Sequence, residues 1–455
     1  MGGHVFPKYD TPRMPPDVYQ FRKLDVLTRL KDLFVYAETP AEGPGKKDFG
    51  DIDVIVCQPR GFADREKKHG CQISENDAEN DYVAVLAYAL DAMSCAKNGR
   101  TTHLAIPWSK HEDGLETTVD GKEGKAIQVD ISVVEDIETY HWLYWRYSHG
   151  NLFVLINAMI QPYGLQLTDH GLFLGIEELE KQVSKNRLKE GKKAARLFLS
   201  KSVQNVTEFL GVPEVQTKAS FDNLQQMFET VSKCCFFNPT ESVSNVSDSP
   251  VELKEKPRNR CISRELIKRL AFMPDINSYF TDFLPSAMNS NEAPGAWAHL
   301  TRLEVVDEAC KHFEKKRQYE TALQKGLQEI GTAEFKEFLD KEVRLVVETD
   351  LKVSGESDMN EDKINQKVAR VKKGMKQWVF KEVDCTDRPE IEGVADAAKA
   401  YQLCNFPEVT QWFYGHWKEL EEAIGAIQKV QYIEWLRKKG KLHGQHDEEA
   451  PSSSS

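Results

Sequence analysis

Three aspartates carry the chemistry this sequence offers: Asp51, Asp53 and Asp130. The first two open the run Gly50-Asp51-Ile52-Asp53-Val54-Ile55-Val56-Cys57, whose β-branched core predicts a buried strand. Residues two apart on a strand point to one face, so two carboxylates are aimed at one point. Like charges that close repel, and folding alone gives little reason to pair them. A divalent cation between them removes the conflict, and hard oxygen ligands suit magnesium or manganese. The plain alternative is a strand that begins in a polar loop with both acids solvated.

Asp130 lies inside a second strand-like run, Ala126-Ile127-Gln128-Val129-Asp130-Ile131-Ser132-Val133-Val134. Ile127, Val129, Ile131 and Val133 fall on one face, and Gln128, Asp130, Ser132 and Val134 on the other. An acid inside such a strand costs free energy unless it is paired, hydrogen-bonded or bound to metal. Either this is the solvated face of an edge strand, or Asp130 joins Asp51 and Asp53 across strands in a three-carboxylate metal site.

Gly-Asp-x-Asp opening a hydrophobic strand, followed by a later strand with a lone Asp, resembles the nucleotidyltransferase superfamily of DNA polymerase beta and the poly(A) and CCA-adding polymerases. The resemblance covers roughly residues 20 to 175. It implies that Asp51 and Asp53 bind two magnesium ions together with a nucleoside triphosphate, ATP included. It also implies that Asp130 helps hold the catalytic metal; Asp130 is in addition a candidate to accept the proton of the attacking hydroxyl. The family's Gly-Ser or Gly-Gly pair, which holds triphosphate oxygens, has no counterpart here: Ala37-Glu38-Thr39-Pro40 follows the preceding strand. Thr39 offers a hydroxyl in its place, and Gly43, Gly45 and Gly50 offer close backbone approach, while Glu38 is set against phosphate. By the same resemblance, Ser148, His149 and Asn151, after the third carboxylate, are candidates to line the nucleotide pocket; an ordinary helix cap is the alternative.

The elements that must position these residues read as follows. Asp17 is placed to cap a helix through Leu24, Leu27 and Leu30, and Leu33 to Ala37 forms a strand ahead of the aspartate strand. Residues 58 to 80 are polar, with Arg60, Arg65, Lys67, Lys68 and His69, and read as a loop. Val83, Leu86, Ala87, Leu90 and Met93 repeat at helical spacing, and Leu104 to Trp108 is a short strand forming a hairpin with the Asp130 strand. An aromatic helix start at Tyr140 to Tyr147, a helix over 153–160 and two short strands around Asp169 to Gly171 complete this part. Lys181 to Lys201 reads as a basic helix, and Lys256 to Arg269 is a second basic cluster; both are candidates for phosphate or RNA contact in an acidic chain. Helical periodicity dominates from Trp297 to Lys441.

At 455 residues the chain exceeds one ordinary core, so two or three domains are expected. A net charge of -12 argues against a protein that coats nucleic acid non-specifically. The 9 cysteines are scattered, with no Cys-x-x-Cys pair, which disfavours a zinc ribbon and suits a reducing compartment. No run approaches the ~20 apolar residues of a membrane span, and the N-terminus has no apolar signal region. An intracellular protein, cytoplasmic or nuclear, is expected.

The expected fold class is α+β: a nucleotidyltransferase-like mixed sheet with flanking helices, followed by mostly helical middle and C-terminal regions. The expected extents are an extended arm over 1–16, a catalytic domain over 17–175, a middle domain over 176–290, a helical domain over 291–441 and a disordered tail over 442–455. The function implied is transfer of a nucleoside monophosphate from a triphosphate to a hydroxyl acceptor, with RNA one such acceptor. The rival is a catalytically inactive binding or regulatory protein on the same fold.

Overall fold

The first long element, α1 (Pro16–Leu33), starts on a proline, whose missing N–H costs nothing at a helix start. Asp17 lies in its first turn rather than at the cap, where its charge still favours the positive end of the helix. The face it buries is Tyr19, Arg22, Val26, Leu30 and Leu33, and Leu24 is 67% exposed. This computed structural model describes residues 5–60, 81–108, 124–213, 220–239, 274–290, 293–354, 361–380 and 390–439. Arg65, Lys67, Lys68, His69, the Lys256 to Arg269 cluster and the 442–455 tail lie outside the described residues.

Five strands follow or flank this helix: β1 (Phe34–Glu38), β2 (Asp51–Pro59), β3 (Ser94–Asn98), β4 (Thr101–Pro107) and β5 (Ala126–Val134). They form one mixed sheet in the order β1-β2-β5-β4-β3. The central pair, β2 and β5, is parallel; the other pairs are antiparallel. One face is apolar along its length. Ile52, Val54 and Val56 join Leu104, Ile106, Val129 and Ile131, and pack with Val26 and Leu30 of α1 and with Leu86 of α2 (Asp81–Ala89).

The other face is divided. Ile55, Cys57 and Val134 pack under Tyr140, Trp142 and Leu143 of α3 (Ile137–Tyr147). The Val54-Ile55-Val56 run is therefore covered on both sides, which is why it shows no polar alternation. The beginning of β2, with Asp51 and Asp53, lies beyond that cover.

A second sheet joins β6 (Leu165–Thr168), β7 (Gly171–Gly175) and β8 (Arg196–Ser200) in that order. The first two are the expected strand pair around Asp169 to Gly171. The third corrects the reading of Lys181 to Lys201 as one helix: a short helix covers Glu177–Val183, and the stretch ends in a strand. Leu197 and Leu199 alternate with Phe198, and Phe198 meets Phe173 edge-on with ring centres 5.5 Å apart. Arg196 lies over the Phe173 ring at 4.6 Å, so an apparent surface charge is part of the sheet's packing.

The chain divides into two compact units, residues 1–177 with 196–320, and residues 178–195 with 321–455. In the first, the core continues from α3 through α4 (Leu152–Ile160) into helices over 203–210, 224–232, 274–289 and 302–312. The second is helical: residues 321–353 of α5 (Lys316–Val353), then α6 (Glu361–Gly374), α7 (Val394–Gln402) and α8 (Phe406–Lys438). Its core holds Val343, Val347, Val371, Trp378, Phe413, Leu420 and Ile424. Gly374 lets α6 approach α8; a Cβ there would lie 3.1 Å from Leu420 Cδ2. No described helix is long and apolar enough to cross a membrane.

Candidate active site

The parallel register of β2 and β5 sets Asp53 directly beside Asp130, and Asp51 beside Gln128. Side chains at paired positions of neighbouring strands share a face, so the three carboxylates emerge on one side of the sheet. Burial, then Asp51 and Asp130, push the Asp53 carboxyl up to about 7. Burial and Asp130 also raise Asp51. The Asp53 side chain is nevertheless open to solvent. For energetics the open surface decides, because water screens the neighbours of an exposed carboxylate.

Among the described residues, no three or more His, Cys, Asp or Glu side chains are drawn together tightly enough to grip a metal ion. The physical reason lies in Asp130. Its Oδ1 is 2.8 Å from His103 Nδ1, and Gln128 Nε2 donates to Oδ1 and Oδ2 at 2.9 and 3.1 Å. The donor set still fits a hard divalent cation: the strand acids supply only oxygens, they share one face, and Asp53 is raised by burial and then by the carboxylates of Asp51 and Asp130, whose repulsion a cation would relieve. Asp51 and Asp53 would hold the ion, with Asp130 contributing across the strand boundary.

His103 and Gln128 are functional candidates that the motif did not provide. Gln128 shares the Asp130 face by simple alternation and is only 2% exposed. Its Oε1 accepts from the Val5 N–H at 3.3 Å, so both ends of the amide are used. His103 sits opposite Asp130 on β4, a pairing that only the sheet register discloses. The arm ahead of α1 belongs to this side as well: Phe6 is buried against Ala105 and Ala126, on the face that bears Asp130.

The loop between β1 and β2 is fastened from behind. The Ala41 N–H donates to Ser148 Oγ at 3.0 Å, Ser148 Oγ donates to the Tyr144 carbonyl at 2.6 Å, and the His149 N–H donates to the Ala41 carbonyl at 2.6 Å. Gly43 and Gly150 touch backbone to backbone: a Cβ on Gly150 would lie 3.0 Å from Gly43 Cα. His149 and Gly150 both adopt left-handed backbone, with φ of 67° and 62°. Ser148 and His149 are buried, and the His149 ring meets Phe221 edge-on at 4.9 Å. These two nucleotide candidates thus lie behind the loop as its supports. Asn151 precedes α4 and makes no side-chain cap bond to it, Thr39 is buried after β1, and Gly50 is buried in the bend before Asp51. Glu38 pairs with Ile55, and its charge falls on Tyr140 and Tyr144, whose hydroxyls are raised first by burial and then by Glu38.

The same loop brings a fourth acid and a cation to the strand carboxylates. Glu42 accepts from the Tyr19 hydroxyl at 2.5 Å through Oε1 and from Lys46 Nζ at 2.5 Å through Oε2. Tyr19 stacks on Phe49 with centroids 3.8 Å apart, and Lys46 Nζ lies 5.3 Å from the Phe49 ring centre. The charge of Glu42 raises Asp51 and Asp53, and that of Lys46 lowers both.

In the stretch Lys181 to Lys201, several charges have local partners. Arg187 pairs with Glu334 and, at 3.0 Å, with Glu337; Lys201 pairs with Asp136 at 3.2 Å and Glu138 at 3.3 Å. A cavity lined by Trp297, His299, Leu300, Asp307 and Glu308 lies in the same unit as the strand carboxylates and is lined by none of them.

No family model matches the sequence, and no curated protein matches it. Among solved structures, the ternary gap complex of Leishmania infantum polymerase beta is similar at 16% identity over 45% of this chain and 70% of that one, with a TM-score of 0.30. The ternary P/T complex of the same polymerase is similar at 17% identity over 45% of this chain and 76% of that one, with a TM-score of 0.29. Likenesses of this size decide nothing about function; the mixed α+β class follows from the sheet order and register themselves.

Proposed function

We propose that the chain is a metal-dependent nucleotidyltransferase, which moves a nucleoside monophosphate from a triphosphate to a hydroxyl acceptor, breaking the α–β phosphoanhydride bond and releasing pyrophosphate, with RNA one such acceptor. The observation that carries this reading is the register that sets Asp53 beside Asp130, with Asp51 two residues earlier on the same face. Asp51 and Asp53 hold magnesium or manganese, which when bound neutralises triphosphate charge and lowers the pKa of the attacking hydroxyl. Asp130 takes that hydroxyl's proton, a task for which its carboxylate must be aimed. Gln128 and His103 supply the aim. Thr39, Gly50 and Asn151 are the proposed nucleotide contacts, with Ser148 and His149 acting through the loop they support.

The test is incorporation of labelled triphosphate in magnesium or manganese, with RNA and small hydroxyl compounds as acceptors. Asp51→Asn and Asp53→Asn are expected to lose at least about 100-fold in rate, the scale on which metal-assisted chemistry depends on its ligands. Undiminished activity in either variant sinks the assignment.

A second reading has its own support. The commitment of Asp130 to His103 and Gln128, with Ala37-Glu38-Thr39-Pro40 in place of a Gly-Ser pair, suits an inactive protein on this fold. Calorimetry separates the two: such a protein with a closed site gives no heat with triphosphate and magnesium.

A further inference from the structure

The metal-ligand face carries a charge problem that the strand acids alone cannot solve. Asp51, Asp53 and Asp130 share one face, Glu42 adds a fourth carboxylate whose charge reaches Asp51 and Asp53, and a triphosphate is itself strongly anionic. Divalent ions offset part of this, and the remainder requires side-chain cations on the same side. Lys46 meets that description. Lys46 bonds Glu42 at 2.5 Å, and its charge reaches both Asp51 and Asp53. Lys23, on α1, has its Nζ 5.7 Å from the centre of the Tyr19 ring. Burial lowers its affinity for a proton, and Glu42 restores part of it.

We propose that Lys46 forms a polyphosphate-binding subsite next to the metal carboxylates, with Glu42 holding the lysine in place when no ligand is bound. The subsite rests on the nucleotidyltransferase reading and gives it the phosphate contact that the missing Gly-Ser pair leaves open. Its floor is rigid: Tyr19 and Phe49 stack with their planes 7° apart, and the Tyr19 hydroxyl fixes Glu42. In the loop above, Gly45 has a left-handed φ of 75° and open space where a side chain would project, so no side chain there stands in a ligand's way. The Lys46–Glu42 pair is exposed, at 45% and 29% of the side chains, and an ion pair so open to water is weakly held. A phosphate group carries more charge and more acceptor oxygens than a carboxylate, so it displaces Glu42 from Lys46. The ligand class is the β- and γ-phosphates of a nucleoside triphosphate, for which inorganic tripolyphosphate is the minimal probe.

The experiment is calorimetry on the full chain with tripolyphosphate, with and without manganese, and separately with manganese alone. Lys46→Ala is expected to weaken tripolyphosphate binding on the order of tenfold, Lys46→Arg to recover most of it, and Lys23→Ala, on the helix that covers the opposite face of the sheet, to leave it unchanged. Glu42→Gln is the diagnostic variant: removal of a competing carboxylate strengthens binding about threefold or more, whereas loss of a merely structural contact weakens it. Manganese binding alone is expected to survive Lys46→Ala and to be lost in Asp53→Asn. If Lys46→Ala binds tripolyphosphate as the unaltered chain does, the subsite is overturned, while the transferase reading stands on the Asp53→Asn result. If tripolyphosphate needs Lys46 but neither manganese nor Asp53, the subsite holds and the transferase reading fails. An unaltered chain that binds neither probe overturns both.

Discussion

Asp53 exhibits the cost of the site most directly. Its carboxyl is moved from the ordinary 3.8 to about 7 by burial and by Asp51 and Asp130. A group whose folded pKa exceeds its unfolded value binds more protons folded than unfolded between the two values, so stability falls as pH rises through that interval. The metal-free protein should therefore lose stability between about pH 4 and pH 7 on account of Asp53. Because the side chain is open to water, the expected loss is reduced to about 1 kcal/mol. Denaturant titrations across this range check it: Asp53→Asn should flatten the decline and stabilise the metal-free protein above pH 7. Magnesium should raise the melting temperature of the unaltered chain and leave Asp53→Asn unmoved. At the neighbouring residue, Gln128→Ala strands the Val5 N–H and removes the donor to both Asp130 oxygens. A loss of about 1–3 kcal/mol is expected for a buried group so deprived, measured by urea unfolding.

The loop between β1 and β2 and the turn before α4 work as one element. Gly43 meets Gly150 across a backbone contact, and Gly150 is left-handed at φ 62°, where a side chain is strained. Gly150→Ala meets both obstacles, and a destabilisation of about 1–3 kcal/mol is expected by chemical unfolding. The functional consequence should exceed the stability loss, since the loop carries Glu42 and Lys46. Triphosphate binding is expected to fall in Gly150→Ala even well below its melting temperature. Ser148→Ala, which keeps the glycine contact but cuts the bond to the Ala41 N–H, should produce a milder form of the same effect. Equal affinity for triphosphate in Gly150→Ala and the unaltered chain would show that the loop's seat is irrelevant to the site.

On the scale of the whole molecule, each compact unit has its own core. Trp142 and Trp378 are both fully buried, the first in the unit with the carboxylates and the second in the helical unit. Truncating a core tryptophan costs about 3–5 kcal/mol through lost burial and the cavity left behind. Trp378→Ala should lower the melting of the helical unit, and scanning calorimetry should resolve its transition from that of the first unit. Manganese binding by Trp378→Ala at a temperature below both transitions should match the unaltered chain, because the strand acids draw on the first unit's core alone.

The sequence by itself determined the faces. The Val54-Ile55-Val56 run and the alternation around Asp130 follow from β-branched packing and a period of two, which are local properties of the chain. They specified that Asp51 and Asp53 share a side, that Gln128 and Asp130 share a side, and that helices and strands would mix. Local pattern failed where a strand was dressed in charge: Leu197 and Leu199 were hidden among the lysines and arginines of the stretch ending at Lys201. It left open which face of α1 is buried: the stripe includes Tyr19 and Arg22 and leaves Leu24 outside, because partner surfaces choose a helix's inner face. Only the tertiary structure decided that β2 lies parallel and adjacent to β5, in the register that pairs Asp53 with Asp130. It alone supplied His103, Glu42 and the Val5 contact. Such pairings join residues far apart along the chain, and their energy comes from burial and hydrogen bonding across elements, which no window of neighbouring residues contains.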